Sequence, residues 1–228
     1  MAVWDVAVVG IDGCRDGWIA VAWRDGQVEA YRWDSLEELS GLGDVAVAAI
    51  DIPLGLSPTG ERLCDSLARS RLGVRASTIF NAPPRACVAE VMDYDRANAI
   101  SRLAGGRGLS RQSFGLLAKI READRYWRRA PCPLYEVHPE LAFARLNAGR
   151  PLVSKKSWAG VMTRRELLAG QGITLDHLGA EVGTAAPDDV LDAAVCALSA
   201  LRIERGEASC LPQPPEVDET GREMSIRY

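Results

Sequence analysis

The sequence predicts an α/β fold in which helices flank a mixed β-sheet. An Asp25-Gly26 pair, a strong hairpin signal, separates the apolar run 18–23 from the mixed run 27–33. The run 45–50 carries no charge, which is typical of a strand buried on both faces. The final helical pattern, residues 188–204, has a broad apolar face that would cover such a sheet.

Local patterns predict the first four strands and a short helix between them. The strand-like run 6–11 leads into the hairpin, so the first three strands form an antiparallel meander. Ser35 and Glu38 make a capping box for a helix that ends near Leu42. The fourth strand follows and stops at Pro53, and we expect it to run parallel to the first.

The remainder of the chain is mainly helical by its apolar spacing and its Gly and Pro positions. A short fifth strand is predicted at 134–138, and Pro139 suits the first turn of the helix after it. The predicted helices span residues 61–72, 93–104, 110–129, 139–146, 157–169, 175–182 and 188–204, and a Pro-rich tail follows.

Length and composition indicate one domain with an insertion. The 228 residues, 47% of them apolar, can bury one substantial core. We predict a single domain over 1–212, a largely helical basic insertion at 60–130 and a tail at 213–228. No apolar run reaches the roughly 18 residues of a membrane span, and no basic leader precedes the first strand. Scattered cysteines without a C-x-x-C pair favour reduced thiols, so we expect a soluble cytoplasmic protein.

The net charge of −4 hides an uneven distribution of charge. Residues 60–130 carry 14 Lys and Arg against 7 Asp and Glu, whereas the remainder carries 13 against 24. A basic segment beside an acidic remainder suits binding to a polyanion, because neutralised phosphates release their counterions. The alternative is that these arginines cover solvated helix faces, and the pattern leaves both explanations open.

Acidic side chains follow the apolar strands at the points where these strands end. Asp12 ends the first run and Asp51 ends the fourth, and open α/β folds bind ligands at the carboxyl ends of their strands. Asp189 and Asp192 are three residues apart and therefore share one helix face. Since clustered carboxylates are costly without a cation, the four acids predict a site for Mg²⁺ or Mn²⁺.

The strand and helix ends also offer structural explanations for these acids. Asp12 before Gly13 is typical of a tight turn, and Asp51 before Pro53 is typical of a hydrogen-bonded strand end. Asp188, directly after a proline, suits the first turn of its helix.

The fifth strand contributes further acidic candidates and a histidine. Glu136 is a second-tier metal ligand, whereas Glu140 fits a first-turn acid of the next helix. His138 is explained better as a hydrogen-bonded structural group than as a general base.

Arginine and lysine side chains supply candidate phosphate contacts. Arginine suits bidentate phosphate recognition and lysine supplies a mobile charge, although each of these residues taken alone is also an ordinary surface charge. The segment 105–108 lacks the Lys-Ser/Thr that completes a P-loop, so we interpret it as a linker. The candidate contacts are Arg62, Arg69, Arg75, Arg85, Lys155 and Lys156.

Six motifs stand in order along the chain: Gly10-Ile11-Asp12-Gly13-Cys14-Arg15-Asp16-Gly17-Trp18, Ile50-Asp51-Ile52-Pro53-Leu54-Gly55-Leu56, Arg62-x-Cys64-Asp65, His138-Pro139-Glu140, Ser154-Lys155-Lys156-Ser157 and Asp188-Asp189-Val190-Leu191-Asp192-Ala193. Together, from residue 6 to about residue 200, they resemble an uncharacterised bacterial and archaeal family of predicted nucleases with a ribonuclease H fold. The resemblance implies a five-stranded mixed sheet of order 3-2-1-4-5. It also implies a resolvase-like set of acids in which Asp12 is the central metal ligand.

These observations predict a metal-dependent nuclease that hydrolyses DNA or RNA by a two-metal mechanism. Asp12, Asp51 and the pair Asp189 and Asp192 would hold the ions, and no convincing covalent nucleophile is present. One alternative is a non-catalytic nucleic-acid-binding or regulatory protein on the same fold. Another is a phosphotransferase of the actin and sugar-kinase type. Those proteins contain two copies of the domain, and 228 residues leave no room for a second copy. Resolvases act as two-fold dimers, so a homodimer is also considered, although no pattern marks its interface.

Overall fold

The computed structural model describes residues 7–105, 107–176, 178 and 182–228. The chain forms two compact units. The first consists of Met1–Asp51, Arg129–Ser209 and Arg227–Tyr228, and the second consists of Ile52–Arg128 and Cys210–Ile226.

A five-stranded mixed sheet of order β3-β2-β1-β4-β5 forms the centre of the first unit. Strands β1 to β3 pair antiparallel, whereas β4 pairs parallel with both β1 and β5. The α/β prediction and the predicted strand order are thereby confirmed; Val6, predicted in the first strand, lies outside the described residues. The strands are β1 (Ala7–Cys14), β2 (Gly17–Arg24), β3 (Gln27–Trp33), β4 (Val45–Ile50) and β5 (Leu134–Glu136).

Helices pack on this sheet in the first unit. The predicted capping box, Ser35 with Glu38, is present and begins a 3-10 helix over Leu36–Leu42. In the helix predicted at 175–182, residues 177 and 179–181 lie outside the described residues, and its described residues are not helical. The α-helices of this unit are α5 (Pro139–Leu146), α6 (Trp158–Ala169) and α7 (Pro187–Glu204).

The second unit is mainly helical, as predicted for the basic middle of the chain. It contains α1 (Leu63–Leu72), α2 (Tyr94–Gly105), α3 (Arg111–Gly115) and α4 (Leu117–Tyr126). The single helix predicted at 110–129 is therefore wrong. It breaks at Leu116, whose N–H is shared between the carbonyl oxygens of residues 112 and 113, a 3-10-type tightening that ends α3.

The C-terminal segment also differs from its description as a tail. Residues 210–217 form strand β6 and residues 223–227 form strand β7, and the two strands pair with one another. Prolines at positions 212, 214 and 215 are typical of irregular chain, so the sequence pattern did not indicate these strands. The predicted domain limits stay a prediction.

Strand β1 and helix α7 lie unusually close to each other at Gly10. A Cβ atom on Gly10 would lie 2.0 Å from the backbone nitrogen of Ala197 and 2.1 Å from the carbonyl oxygen of Ala193. No side chain fits at such distances, so the glycine is what allows the helix to approach the strand. This contact lies two residues from Asp12 on β1 and beside Asp192 on α7.

The helices and the cysteines bear on the membrane and disulfide expectations. None of the helices within the described ranges combines the length and apolarity needed to cross a bilayer. All six cysteines are among the described residues, and each is a free thiol.

We expect Gly10→Ala to lower the free energy of unfolding by about 3 kcal/mol, the upper end of the usual cost of overpacking, because its methyl group must displace the α7 backbone. Urea unfolding measures this change. Gly41→Ala is the matched control, since nothing lies within 4 Å of a Cβ at that position, and it should stay within about 1 kcal/mol of the wild type. Equal stability of the two variants would contradict the close strand-helix contact.

Candidate functional site

Two adjacent parallel strands bring Asp12 and Asp51 together. The parallel register of β1 and β4 ends at Ile11 opposite Ile50, and the N–H of Asp51 donates to the carbonyl oxygen of Ile11 at 2.9 Å. Asp12 directly follows Ile11 and Asp51 directly follows Ile50, so the two aspartates lie side by side at the carboxyl edge of the sheet. Asp12 also accepts a hydrogen bond from the N–H of Gly13 at 2.7 Å. The tight turn predicted at these two residues is wrong, because both are extended within β1 and pair with β2, and the turn lies at residues 15–16.

Helix α7 adds a second set of acids to this edge. Asp188 and Asp189 lie in its first turn, as predicted for Asp188, and Asp192 lies one turn later. Asp192 is only 1% exposed, whereas Asp189 is half-buried. The charge of Asp189 contributes to raising the pKa of Asp12, so the two carboxylates act on each other across the site.

The carboxyl groups of Asp12, Asp51 and Asp192 are harder to ionise than usual. Burial raises the pKa of Asp12 well above its ordinary value, and the charges of Asp51 and Asp192 raise it further. Burial followed by the charge of Asp192 does the same to the pKa of Asp51. Burial raises the pKa of Asp192 to about 6. Mutual repulsion of this kind is the pattern that a bound cation would relieve.

Two consecutive lysines supply positive charge to the cluster. Lys155 Nζ forms an ion pair with Asp192 Oδ2 and lies 3.9 Å from Asp188 Oδ2. Lys156 Nζ contacts Asp188 Oδ2 at 2.5 Å. Burial lowers the pKa of Lys155, but the attraction of Asp192, Asp12 and Asp51 outweighs it and raises that pKa above its ordinary value. Lys155 therefore remains a charged ammonium group.

One carboxylate oxygen in the cluster lacks compensation. Asp192 Oδ1 is buried and has no hydrogen-bond partner among the described residues, whereas Oδ2 of the same group contacts Lys155. A buried carboxylate oxygen left without a partner is costly, and an all-oxygen set of donors is what Mg²⁺ and Mn²⁺ prefer. Within the part of the chain that the structure describes, no three His, Cys, Asp or Glu residues are grouped tightly enough to hold a metal ion. The donor chemistry thus fits a divalent cation. Such a cation would compete with Lys155 for the carboxylate of Asp192.

The residues around β5 form a supporting layer for the cluster. Glu136 is buried opposite Ile50, and its charge contributes to raising the pKa of Asp51. Glu140 is in the first turn of α5, as predicted, and His138 is the N-cap residue of that helix. Glu140 also accepts a hydrogen bond from Arg164 at 2.7 Å, and Arg164 is fully buried. Sequence reasoning missed this ion pair.

The motif Arg62-x-Cys64-Asp65 forms a structural clamp within the second unit. The Arg62 guanidinium is buried and donates to both carboxylate oxygens of Asp65. It also donates to the carbonyl oxygens of Leu54 and Gly55, each at 3.2 Å. These acceptors occupy the guanidinium, so Arg62 fixes the chain at residues 54–55 rather than facing a phosphate in solvent.

The other three predicted arginines also lie in the second unit. Arg85 donates to both carboxylate oxygens of Asp124 and forms an ion pair with Asp218. Arg69 donates to the carbonyl oxygen of Ile79 at 3.2 Å, and it is half-buried, as is Arg75. Their phosphate contacts stay predictions. Of the six basic candidates, Lys155 and Lys156 are the two that belong to the same unit as the acids.

The sequence profile of one family matches residues 10–217, and the chain belongs to that family, which is described as "Protein of unknown function (DUF429)". The matched range includes every acid of the cluster. No curated protein and no solved structure matches the chain.

The raised pKa of Asp192 predicts a pH-dependent stability. Because its folded pKa of about 6 exceeds the ordinary value of 3.8, the stability it contributes is present below that value and is lost as the pH rises through about 6. Asp192→Asn removes this loss. The free energy of unfolding of the variant, taken relative to that of the wild type, should therefore rise by about 3 kcal/mol between about pH 4 and about pH 7.

Urea unfolding in a metal chelator at several pH values measures this gain. The matched control is Asp16→Asn, which removes an exposed carboxylate and should follow the wild-type profile. If the free energy of unfolding of Asp192→Asn also changes with pH as that of the wild type does, the acids are not buried together as described.

Proposed function

We propose that the protein is a divalent-metal-dependent nuclease with a ribonuclease H-like fold, which hydrolyses phosphodiester bonds in DNA or RNA. The convergence of Asp12, Asp51 and Asp192 at the carboxyl ends of β1 and β4 carries this proposal. Ligands of open α/β sheets bind at this edge, and a cluster of carboxylates there needs a cation to offset its repulsion. The strand order β3-β2-β1-β4-β5 supports the fold assignment.

The proposed cation ligands are Asp12, Asp51, Asp189 and Asp192, with Glu136 as a further oxygen donor. The free Oδ1 of Asp192 and the raised carboxyl pKa values support their fitness for Mg²⁺ or Mn²⁺. When bound, such cations activate water for attack on phosphorus and offset the charge that develops on the leaving oxygen.

The protein side chains supply orientation and charge rather than a covalent nucleophile. Cys196 is a nucleophilic side chain on which the charges of the site act. Burial raises its pKa well above the ordinary value, and the charges of Asp51 and Asp12 raise it further. A thiolate is therefore disfavoured at this position, which supports attack by water. Lys155 and Lys156 are the proposed contacts to the phosphate under attack.

The proposed partner is nucleic acid. The excess of basic residues in 60–130 supports this partner, because phosphates along a polyanion are recognised by many weak charge contacts. Arg69 and Arg75 are the proposed contacts within this segment, because carboxylates already occupy the guanidinium of Arg85 as they do that of Arg62.

A second candidate is a non-catalytic nucleic-acid-binding protein on the same fold. Two observations favour it: Lys155 already neutralises Asp192, and the described residues contain no preassembled three-ligand group. In this case, the acids and lysines would form a charge-balanced structural cluster that needs no metal.

Cleavage of labelled nucleic acids in the presence of Mn²⁺ separates the two candidates. The substrates are single-stranded and duplex DNA, RNA, an RNA–DNA hybrid and a four-way junction. We expect the wild type to cleave at least one, and Asp12→Asn, Asp51→Asn and Asp192→Asn each to lose about 100-fold or more in rate, as when one transition-state contact is removed.

Asp16→Asn serves as the control and should cleave like the wild type. Binding without cleavage on every substrate would support the second candidate, and an absence of both binding and cleavage would contradict both.

A further inference from the structure

We infer that Lys155 and Lys156 form a phosphate-binding pair that the acidic cluster holds back until a divalent cation binds. Cation and nucleic acid would then bind cooperatively. This inference rests on the proposed function and specifies how its site is regulated.

In the present arrangement, both lysines are occupied by the acids that are the proposed cation site. Lys155 contacts Asp192 Oδ2 and lies 3.9 Å from Asp188 Oδ2, and Lys156 contacts the same Asp188 oxygen at 2.5 Å. Neither ammonium group is therefore available to a phosphate without giving up a carboxylate. The two functions of the site compete for the same charges.

The backbone that carries the lysines is fixed. Ser154 O accepts hydrogen bonds from Ser157 N at 3.0 Å and from Ser157 Oγ at 2.8 Å. The buried Arg164 donates to the carbonyl oxygen of Val153 at 2.9 Å. A Cβ on Gly160 would lie only 1.9 Å from Ser154 O, so helix α6 also packs directly against this turn. A change of partner must therefore come from the lysine side chains alone.

The two lysine contacts differ in how readily they exchange. The Lys156 side chain is 72% exposed and that of Lys155 is 32% exposed. The pair formed by the exposed Lys156 contributes little net stability, and the lysine stem has four flexible carbons. The pair of Lys155 with the buried Asp192 exchanges only against a cation of higher charge. A divalent cation at Asp192 would offset the negative charge that attracts the ammonium groups and would repel them directly. The freed side chains then face solvent as two phosphate ligands.

This exchange makes two quantitative predictions. Coupling free energies between sites are usually equivalent to changes of 5-fold to 150-fold, and we expect Mg²⁺ to tighten nucleic-acid binding by about 10-fold. Two additional phosphate contacts on a single strand should also make the slope of log affinity against log salt steeper by about 1.4.

The chain has only three lysines, which makes the exchange directly observable. Protein labelled with ¹⁵N at lysine Nζ should show three side-chain ammonium signals by NMR, and Lys119→Met assigns the control signal. We expect Mg²⁺ alone, without nucleic acid, to shift the signals of Lys155 and Lys156 and to leave Lys119 unchanged. If calorimetry shows that Mg²⁺ binds while all three signals stay in place, the inference is overturned and the proposed cation site stands.

Binding of a fluorescein-labelled single-stranded phosphorothioate oligonucleotide, followed by anisotropy, tests the coupling itself. The double variant Lys155→Met/Lys156→Met should lose the Mg²⁺ effect and the steeper salt slope, whereas Lys119→Met should keep both. Equal affinity of the wild type with and without bound Mg²⁺ would refute the coupling. If calorimetry shows no Mg²⁺ binding either to the protein alone or with the oligonucleotide present, the proposed function fails together with the inference.

Discussion

The close contact between β1 and α7 at Gly10 is the constraint on which the candidate site depends. Since no side chain separates the two backbones there, Asp192 on the helix comes close to Asp12 on the strand. The parallel pairing of β1 with β4 adds Asp51 to the same edge. One glycine and one strand register thus assemble carboxylates from three distant parts of the sequence, at the sheet edge where α/β folds bind ligands.

Bringing these acids together has a cost in free energy, and the protein offsets only part of it. Lys155 neutralises one oxygen of Asp192, but the pKa values of Asp12, Asp51 and Asp192 remain raised. Within the part of the chain that the structure describes, Asp192 Oδ1 also has no hydrogen-bond partner. A structural cluster is expected to satisfy its buried charges fully, so residual strain of this kind favours a functional site. The buried pair of Glu140 and Arg164 then anchors the turn that carries the lysines.

The sheet and its acids could be predicted because they follow from local patterns: a hairpin signal, a charge-free strand and acids at strand ends. The sequence did not identify Arg164 and Arg62 as buried. The partner of Arg164, Glu140, is 24 residues away, and an i,i+3 pair such as Arg62 with Asp65 is also common on exposed helices. The pairing of Lys155 with Asp192 spans 37 residues and depends on the fold. Strand β6 was missed because its prolines disfavour regular pairing, and its partner β7 was missed with it.

Calorimetric titration with Mn²⁺ shows directly whether the acids form one cation site. The wild type should bind Mn²⁺, and binding should be lost in both Asp12→Asn and Asp192→Asn, because each removes an oxygen donor of the same site. Loss in only one of the two variants would mean that these acids do not share a site. Absence of Mn²⁺ binding to the wild type at millimolar concentration, with nucleic acid present to supply missing ligands, would mean that the acids hold no cation.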